Sequence, residues 1–175
     1  MATSGGARGK LIRQAMRFLL KNKKRTGTRF QMSGKSLRHQ QFGEIKVTTR
    51  RNGTQRVQGT GYHHRPGGND YPGRRITDVT RRDPHTGVYE ARVEFQNPNP
   101  PPPWVPKNNN GMGTFFPNHW SPSKVDQATS DAFRNGTRNA DGTWYGEHDG
   151  VTVEGWYDTA TGSIGHGWPK IIRSN

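Results

Sequence analysis

The chain has 175 residues, with 27 Lys and Arg against 13 Asp and Glu, a formal charge of +14 and no cysteine. That excess of cations favours a polyanionic partner, nucleic acid first and an anionic membrane or acidic protein after it. Without cysteine, disulfides, thiolate nucleophiles and zinc–thiolate centres are excluded, and no apolar run approaches the length of a membrane span.

"KLIRQAMRFLLKNKK" (10–24) has Leu11, Ala15, Phe18 and Leu19 at helical spacing with cations on the other faces. It predicts a basic amphipathic helix. Such a helix packs its stripe on its own domain, links to an upstream delivery domain, or lies on a membrane surface. Residues 1–35 are read as this helix and a linker, and residues 36–175 as the main domain.

In "FGEIKVTTRRNGTQRVQGTGYHH" (42–64), Asn52-Gly53 lies between two polar, β-rich runs and predicts a hairpin with a two-residue type I′ turn. His39 then precedes the first strand, and His63 and His64 close the second. Consecutive strand residues face opposite ways, so in a regular strand His63 and His64 cannot both face one cleft. Residues 66–75 read as loop, and "RRITDVTRR" (74–82) as an Arg-rich loop. "GVYEARVEF" (87–95) alternates Tyr89, Ala91, Val93 and Phe95 against polar residues, a half-buried strand. Residues 97–113 read as a Pro- and Asn-rich loop. "WSPSKVDQATSDAFRNG" (120–136) predicts a helix: Ser121 caps it, Pro122 takes the first position, and Gly136 ends it. Val125, Ala128, Ala132 and Phe133 form its apolar face. Residues 142–173 read as a three-stranded meander turning at Asp149-Gly150 and at 159–162.

Paired histidines and a lysine suit one reaction well. Cleaving RNA by internal attack of the ribose 2′-OH needs a base for that proton, an acid for the departing 5′-oxygen, and a cation for the phosphorane. Histidine fits both proton roles because its ordinary pKa lies near neutrality. DNA lacks the 2′-OH.

"His39-Gln-Gln-Phe-Gly43-Glu44-Ile" followed by "Gly61-Tyr62-His63" resembles the His-x-x-x-Gly-acidic and Gly-x-His pair of the EndoU-type endoribonucleases. "Thr114-Phe-Phe-Pro-Asn-His-Trp120-Ser121" before a helix is similar to the T-x-F-P…W-S segment of the bacterial toxin members. "Gly150-Val-Thr-Val-Glu-Gly155-Trp-Tyr-Asp" and "His166-Gly167-Trp168-Pro169-Lys170" are similar to the family's closing hairpin. The match runs over roughly residues 36 to 172. The resemblance implies an α+β fold of twisted, mostly antiparallel sheets with a few helices, and a metal-independent endoribonuclease leaving 2′,3′-cyclic phosphate ends without a cofactor. It implies His63 as base, His39 as acid and a lysine close before the T-x-F-P segment. Residues 111–113 are Gly-Met-Gly, so the candidate is Lys107, with Lys124 in reserve. His64, Thr114, His166 and Trp168 are candidate substrate contacts. His166 stands where relatives carry Thr or Ser, and Trp168 can stack on a base. The resemblance further implies RNA as substrate, tRNA among the targets, and a cognate acidic immunity protein. It implies delivery into a target-cell cytoplasm as part of a larger secreted toxin, with no membrane anchor.

Two other classes remain open on the residues alone. One is a non-catalytic nucleic-acid-binding module, with steep salt dependence and no effect on RNA integrity. The other is a membrane-active segment led by residues 10–24.

Overall fold

The computed structural model describes residues 4–26 and 32–172. Helix α1 spans Ser4–Thr26 and α2 spans Gly34–Gln41. Strands β1 (Glu44–Thr49) and β2 (Gln55–Thr60) form a two-stranded ribbon. A central sheet follows, built from β3 (Arg74–Arg82), β4 (Tyr89–Gln96), β5 (Trp104–Pro106) and β6 (Met112–Phe115). Here β4 pairs β3 on one side and both β5 and β6 on the other. Helix α3 (Pro122–Asn135) leads into a second sheet of β7 (Thr137–Arg138), β8 (Thr143–His148), β9 (Val151–Trp156) and β10 (Trp168–Lys170), ordered β10-β9-β8-β7. All the strand pairings within these sheets are antiparallel, so the architecture is α+β.

Several elements form for the reasons legible in the chain. Ser121 caps α3, its side chain accepting from Lys124 N at 3.0 Å, and Val125, Ala128, Ala132 and Phe133 are all buried. In β4 the alternating Tyr89, Ala91, Val93 and Phe95 face inward. At Asp149-Gly150 both residues have positive φ (49° and 78°) and His148 pairs Val151, so this is the two-residue I′ hairpin turn.

Other expectations are corrected. Asn52-Gly53 does sit at the tip of the β1–β2 ribbon, but Thr49 pairs Gln55, so the loop has five residues. Only Gly53 has positive φ there, and Asn52 Oδ1 instead accepts from Thr54 N at 3.0 Å. "RRITDVTRR" is not a loop but strand β3. It lies at the sheet edge with most side chains exposed, and two register shifts against β4 erase the alternation that marks a strand. Residues 97–113, expected as loop, contain β5 and the start of β6. Along α1 the stripe is displaced: Ile12, Met16 and Leu19 are buried, whereas Leu11 and Phe18 are 47% and 60% exposed.

Two apolar cores result. The first joins Ile12, Met16 and Leu19 of α1 with Leu37 of α2, Phe133 of α3, and Trp144, Val151 and Val153 of the C-terminal sheet. Helix α1 therefore packs by its stripe against the same core as the rest of the chain. The second core joins Tyr62, Tyr89, Ala91, Val93, Phe95, Val105 and Phe115, with Ile45 and Val57 at the ribbon's base packed against it. A cleft opens where β6 of the central sheet meets β10 of the C-terminal sheet.

Candidate active site

A cleft of about 600 Å³ collects His39, His63, Lys107, Thr114, His166 and Trp168. They come from four stretches of the chain, at His39, His63, Lys107 to Thr114, and His166 to Trp168, and backbone geometry delivers each one.

His39 lies near the C-terminal end of α2. Its Nδ1–H donates to Glu44 Oε1 at 2.7 Å, because a carboxylate can only accept. That bond fixes the ring of a residue that lines the cleft. The chain folds back at Gly43 (φ 64°), where an added Cβ would meet Thr60 O at 2.3 Å. Only glycine fits there. Glu44 was not among the expected site residues, although it is the acidic position of the first motif.

His63 follows β2 after a break at Gly61 and Tyr62, whose φ values are 74° and 69°. Three bonds clamp it. His63 N donates to Gln40 O at 2.7 Å, Phe116 N donates to His63 O at 2.8 Å, and His63 Nδ1–H donates to Thr114 O at 2.8 Å. With the proton held on Nδ1 by a carbonyl, Nε2 keeps a free lone pair. Burial above all, then the neighbouring Lys107, His39 and His166, hold this imidazole well below its ordinary pKa of 6.5. The Thr114 carbonyl opposes that shift without cancelling it. Trp168 stacks beside the ring, centroids 6.2 Å apart and planes 28° apart. The indole donates from Nε1 to Glu154 Oε1 at 3.2 Å.

Lys107 begins a tight loop in which Asn109, Asn110 and Gly111 all have positive φ, closed by Gly111 N donating to Lys107 O at 2.9 Å. Its side chain runs over Gly113. A Cβ there would meet Lys107 Cε at 3.0 Å, so the Gly-Met-Gly segment makes room for the lysine. The ammonium donates to Asn108 Oδ1 at 3.1 Å. Burial lowers its pKa to about 8, and Glu44 pulls the other way. Lys124 lies outside the cleft, bonded to Asp149 and to His148 Nε2.

His166 meets His39 edge-on, ring centroids 4.4 Å apart. Burial, then the field of His39, lowers its pKa. The loop that carries it presses on Gly155, where a Cβ would lie 1.9 Å from His166 O.

His64 does not join them. It is fully buried, donates from Nε2 to Trp120 O at 2.9 Å, and has Nδ1 3.3 Å from the Gln41 amide. The expected substrate contact at His64 is therefore replaced by a core position, and burial lowers its pKa to about 4. Its neighbour faces the cleft because Tyr62 turns the backbone, not because a regular strand alternates. Arg81, read as part of a loop, lines the far side of the cleft from β3.

The cleft thus brings together two imidazoles, one held at Nδ1 by a carboxylate and the other by a carbonyl, a buried ammonium and an aromatic ring, between the central and C-terminal sheets. The sequence model of the bacterial EndoU nuclease family matches residues 33–171, and the chain belongs to that family. A protein of Bacillus cereus named "Toxin" is 32% identical over 89 residues. That match covers 50% of this chain and 15% of the relative, so the chain spans a small part of that protein's length. No solved structure matches the chain.

Proposed function

We propose that this chain is an endoribonuclease toxin that cuts RNA by 2′-OH transesterification, without a metal ion. The observation that carries the reading is His63: buried, held neutral, with its one proton committed to Thr114 O and its free Nε2 in the cleft. That is the state a general base needs at neutral pH. His63 Nε2 takes the 2′-hydroxyl proton, and the 2′-oxygen attacks the adjacent phosphorus. Lys107 faces the charge that builds on the non-bridging oxygens. His39, whose Nδ1–H is held by the Glu44 carboxylate, gives a proton to the leaving 5′-oxygen. The products are a 2′,3′-cyclic phosphate and a 5′-hydroxyl, and no water is consumed. Trp168 stacks on a base, and Thr114 and His166 contact the phosphate or sugar.

Membership of a nuclease family and the likeness to a toxin support delivery into a target-cell cytoplasm as part of a larger secreted protein. A producing cell then needs a cognate inhibitor. The chain's +14 charge favours an acidic immunity protein whose carboxylates occupy phosphate positions over His39 and His63.

The test is incubation of purified protein with RNA and with DNA of the same sequence in EDTA, followed by analysis of the ends. RNA cut to 2′,3′-cyclic phosphates with DNA intact is the expected outcome. Complete loss of cleavage in EDTA, or 3′-hydroxyl products, overturns the mechanism.

A further inference from the structure

We infer that the β1–β2 ribbon is a track for the RNA backbone, carrying a single strand away from the catalytic cleft. This rests on the RNA-cleaving reading of the cleft and names how a longer substrate is held. The register pairs Glu44 with Thr60, Lys46 with Gln58 and Thr48 with Arg56. Alternation therefore puts Thr60, Gln58, Lys46, Thr48 and Arg56 on one face of the ribbon. Ile45, Val47, Val57 and Gly59 lie on the other.

The two faces have different neighbours. Ile45 and Val57 pack on the second core, and a Cβ on Gly59 would overlap the Phe95 ring at 1.9 Å. The opposite face begins at Thr60, which lines the catalytic cleft, and at Glu44, which holds His39. From there Lys46 and Arg56 stand two and four residues outward, roughly 7 and 14 Å along the ribbon. Both are exposed, as is Arg51 at the tip, and none of the three is ion-paired to a described carboxylate. From Ile45 to Asn69 the sequence contains no Asp or Glu. The outer half of the ribbon contributes nothing to either core, and an isolated two-stranded ribbon is only marginally stable. Packing thus gives no reason for its length, whereas a row of hydroxyl, amide and cationic donors leading out of the cleft matches a phosphodiester backbone.

The experiment measures binding of an uncleavable 2′-O-methyl RNA 20-mer and a trimer to the whole chain at several salt concentrations. Three proteins are compared: wild type, Lys46→Gln/Arg56→Gln, and Lys10→Gln/Arg13→Gln, which removes the same charge from the exposed face of α1. The ribbon variant should bind the 20-mer about tenfold more weakly. The slope of log affinity against log salt should be shallower by about 1.4, the value for two lost single-strand phosphate contacts. Trimer binding should change less than twofold, and the helix variant should match wild type. Equal weakening by both variants reduces the ribbon to bulk charge and overturns the track, as does an unchanged 20-mer affinity. Retained RNA affinity but weaker binding of an acidic protein inhibitor would assign the face to that partner instead, and also overturns it. Binding is read without cleavage, so a wild-type chain that grips the 20-mer along the ribbon yet leaves RNA intact sinks the nuclease chemistry alone.

Discussion

At the scale of single residues, the proposed mechanism separates groups that do chemistry from groups that place them. His39→Ala and His63→Ala should each lower kcat by about 10²–10⁴-fold, the usual contribution of one positioned acid or base, with little change in Tm for His39→Ala and a fall in Tm for His63→Ala, which empties a buried, hydrogen-bonded position. Lys107→Ala should lower kcat more than RNA affinity, since its ammonium acts on charge present only in the transition state. Equal losses in the two would demote it to a backbone contact. The pH profile of kcat/KM follows from the same groups. His63 must be neutral and its pKa is lowered, so the acid limb should lie well below 6.5. Lys107 must be charged and its pKa is about 8, so activity should be declining by about pH 8. An acid limb at or above 6.5 would show that His63 is not the base. His64→Ala belongs to stability: it removes a fully buried ring that donates to Trp120 O, for a loss of about 3 kcal/mol in chemical denaturation.

At the scale of elements, glycines set how closely strands and helices approach. A Cβ at Gly146 of β8 would lie 1.9 Å from Ala132 O on α3. Gly146→Ala should therefore push α3 off the C-terminal sheet and lower stability by about 3 kcal/mol or more, read as a fall in Tm and in soluble yield. A Tm within two degrees of wild type would mean that helix and sheet part easily. Legibility follows burial. Helix α3 and strand β4 each bury one apolar face with the period of their backbone, and both are plain in the chain. Helix α2 is not, because beside Leu37 its buried residues are Gln40 and Gln41. Gln40 is inside because its Nε2 donates to Thr129 Oγ1 at 2.8 Å and to Gly167 O at 3.0 Å. Those partners are about 90 and 130 residues away in sequence, so no local pattern could announce them. Strand β3 is illegible for the opposite reason: an exposed edge with register shifts shows no alternation to read.

For the whole molecule, acid is the natural stress. His64 has its pKa lowered from 6.5 to about 4, and that of His63 is lowered too. The native state therefore binds fewer protons than the unfolded chain between those values. Stability is fully present above pH 6.5 and is lost as pH falls towards 4. For His64 alone the loss is roughly 3 kcal/mol. Chemical denaturation at pH 7.5 and 4.5 should show the fall, and a His64→Gln variant should show less of it. A pH-independent midpoint would contradict the burial of these rings. The same core holds α1, so Leu19→Asp should destabilise the fold, read as a fall in Tm, although Leu19 does not line the cleft. No helix among the described residues is long and apolar enough to cross a membrane.

By itself the sequence determined the strong net positive charge, the α+β class, helix α3, strand β4, the Asp149-Gly150 hairpin, and the ordered motifs that carry the family resemblance. These are local properties: charge, period, caps and turn chemistry act over a few residues. Tertiary structure alone decided which histidine enters the cleft. His63 and His64 are chemically identical neighbours. Only the turn at Tyr62, with the Thr114 carbonyl waiting for one ring and the Trp120 carbonyl for the other, makes one ring line the cleft and buries the other in the core. The placement of Lys107 rather than Lys124 in the cleft has the same origin: one ammonium is buried over Gly113 within the cleft, and the other is bonded to Asp149 outside it.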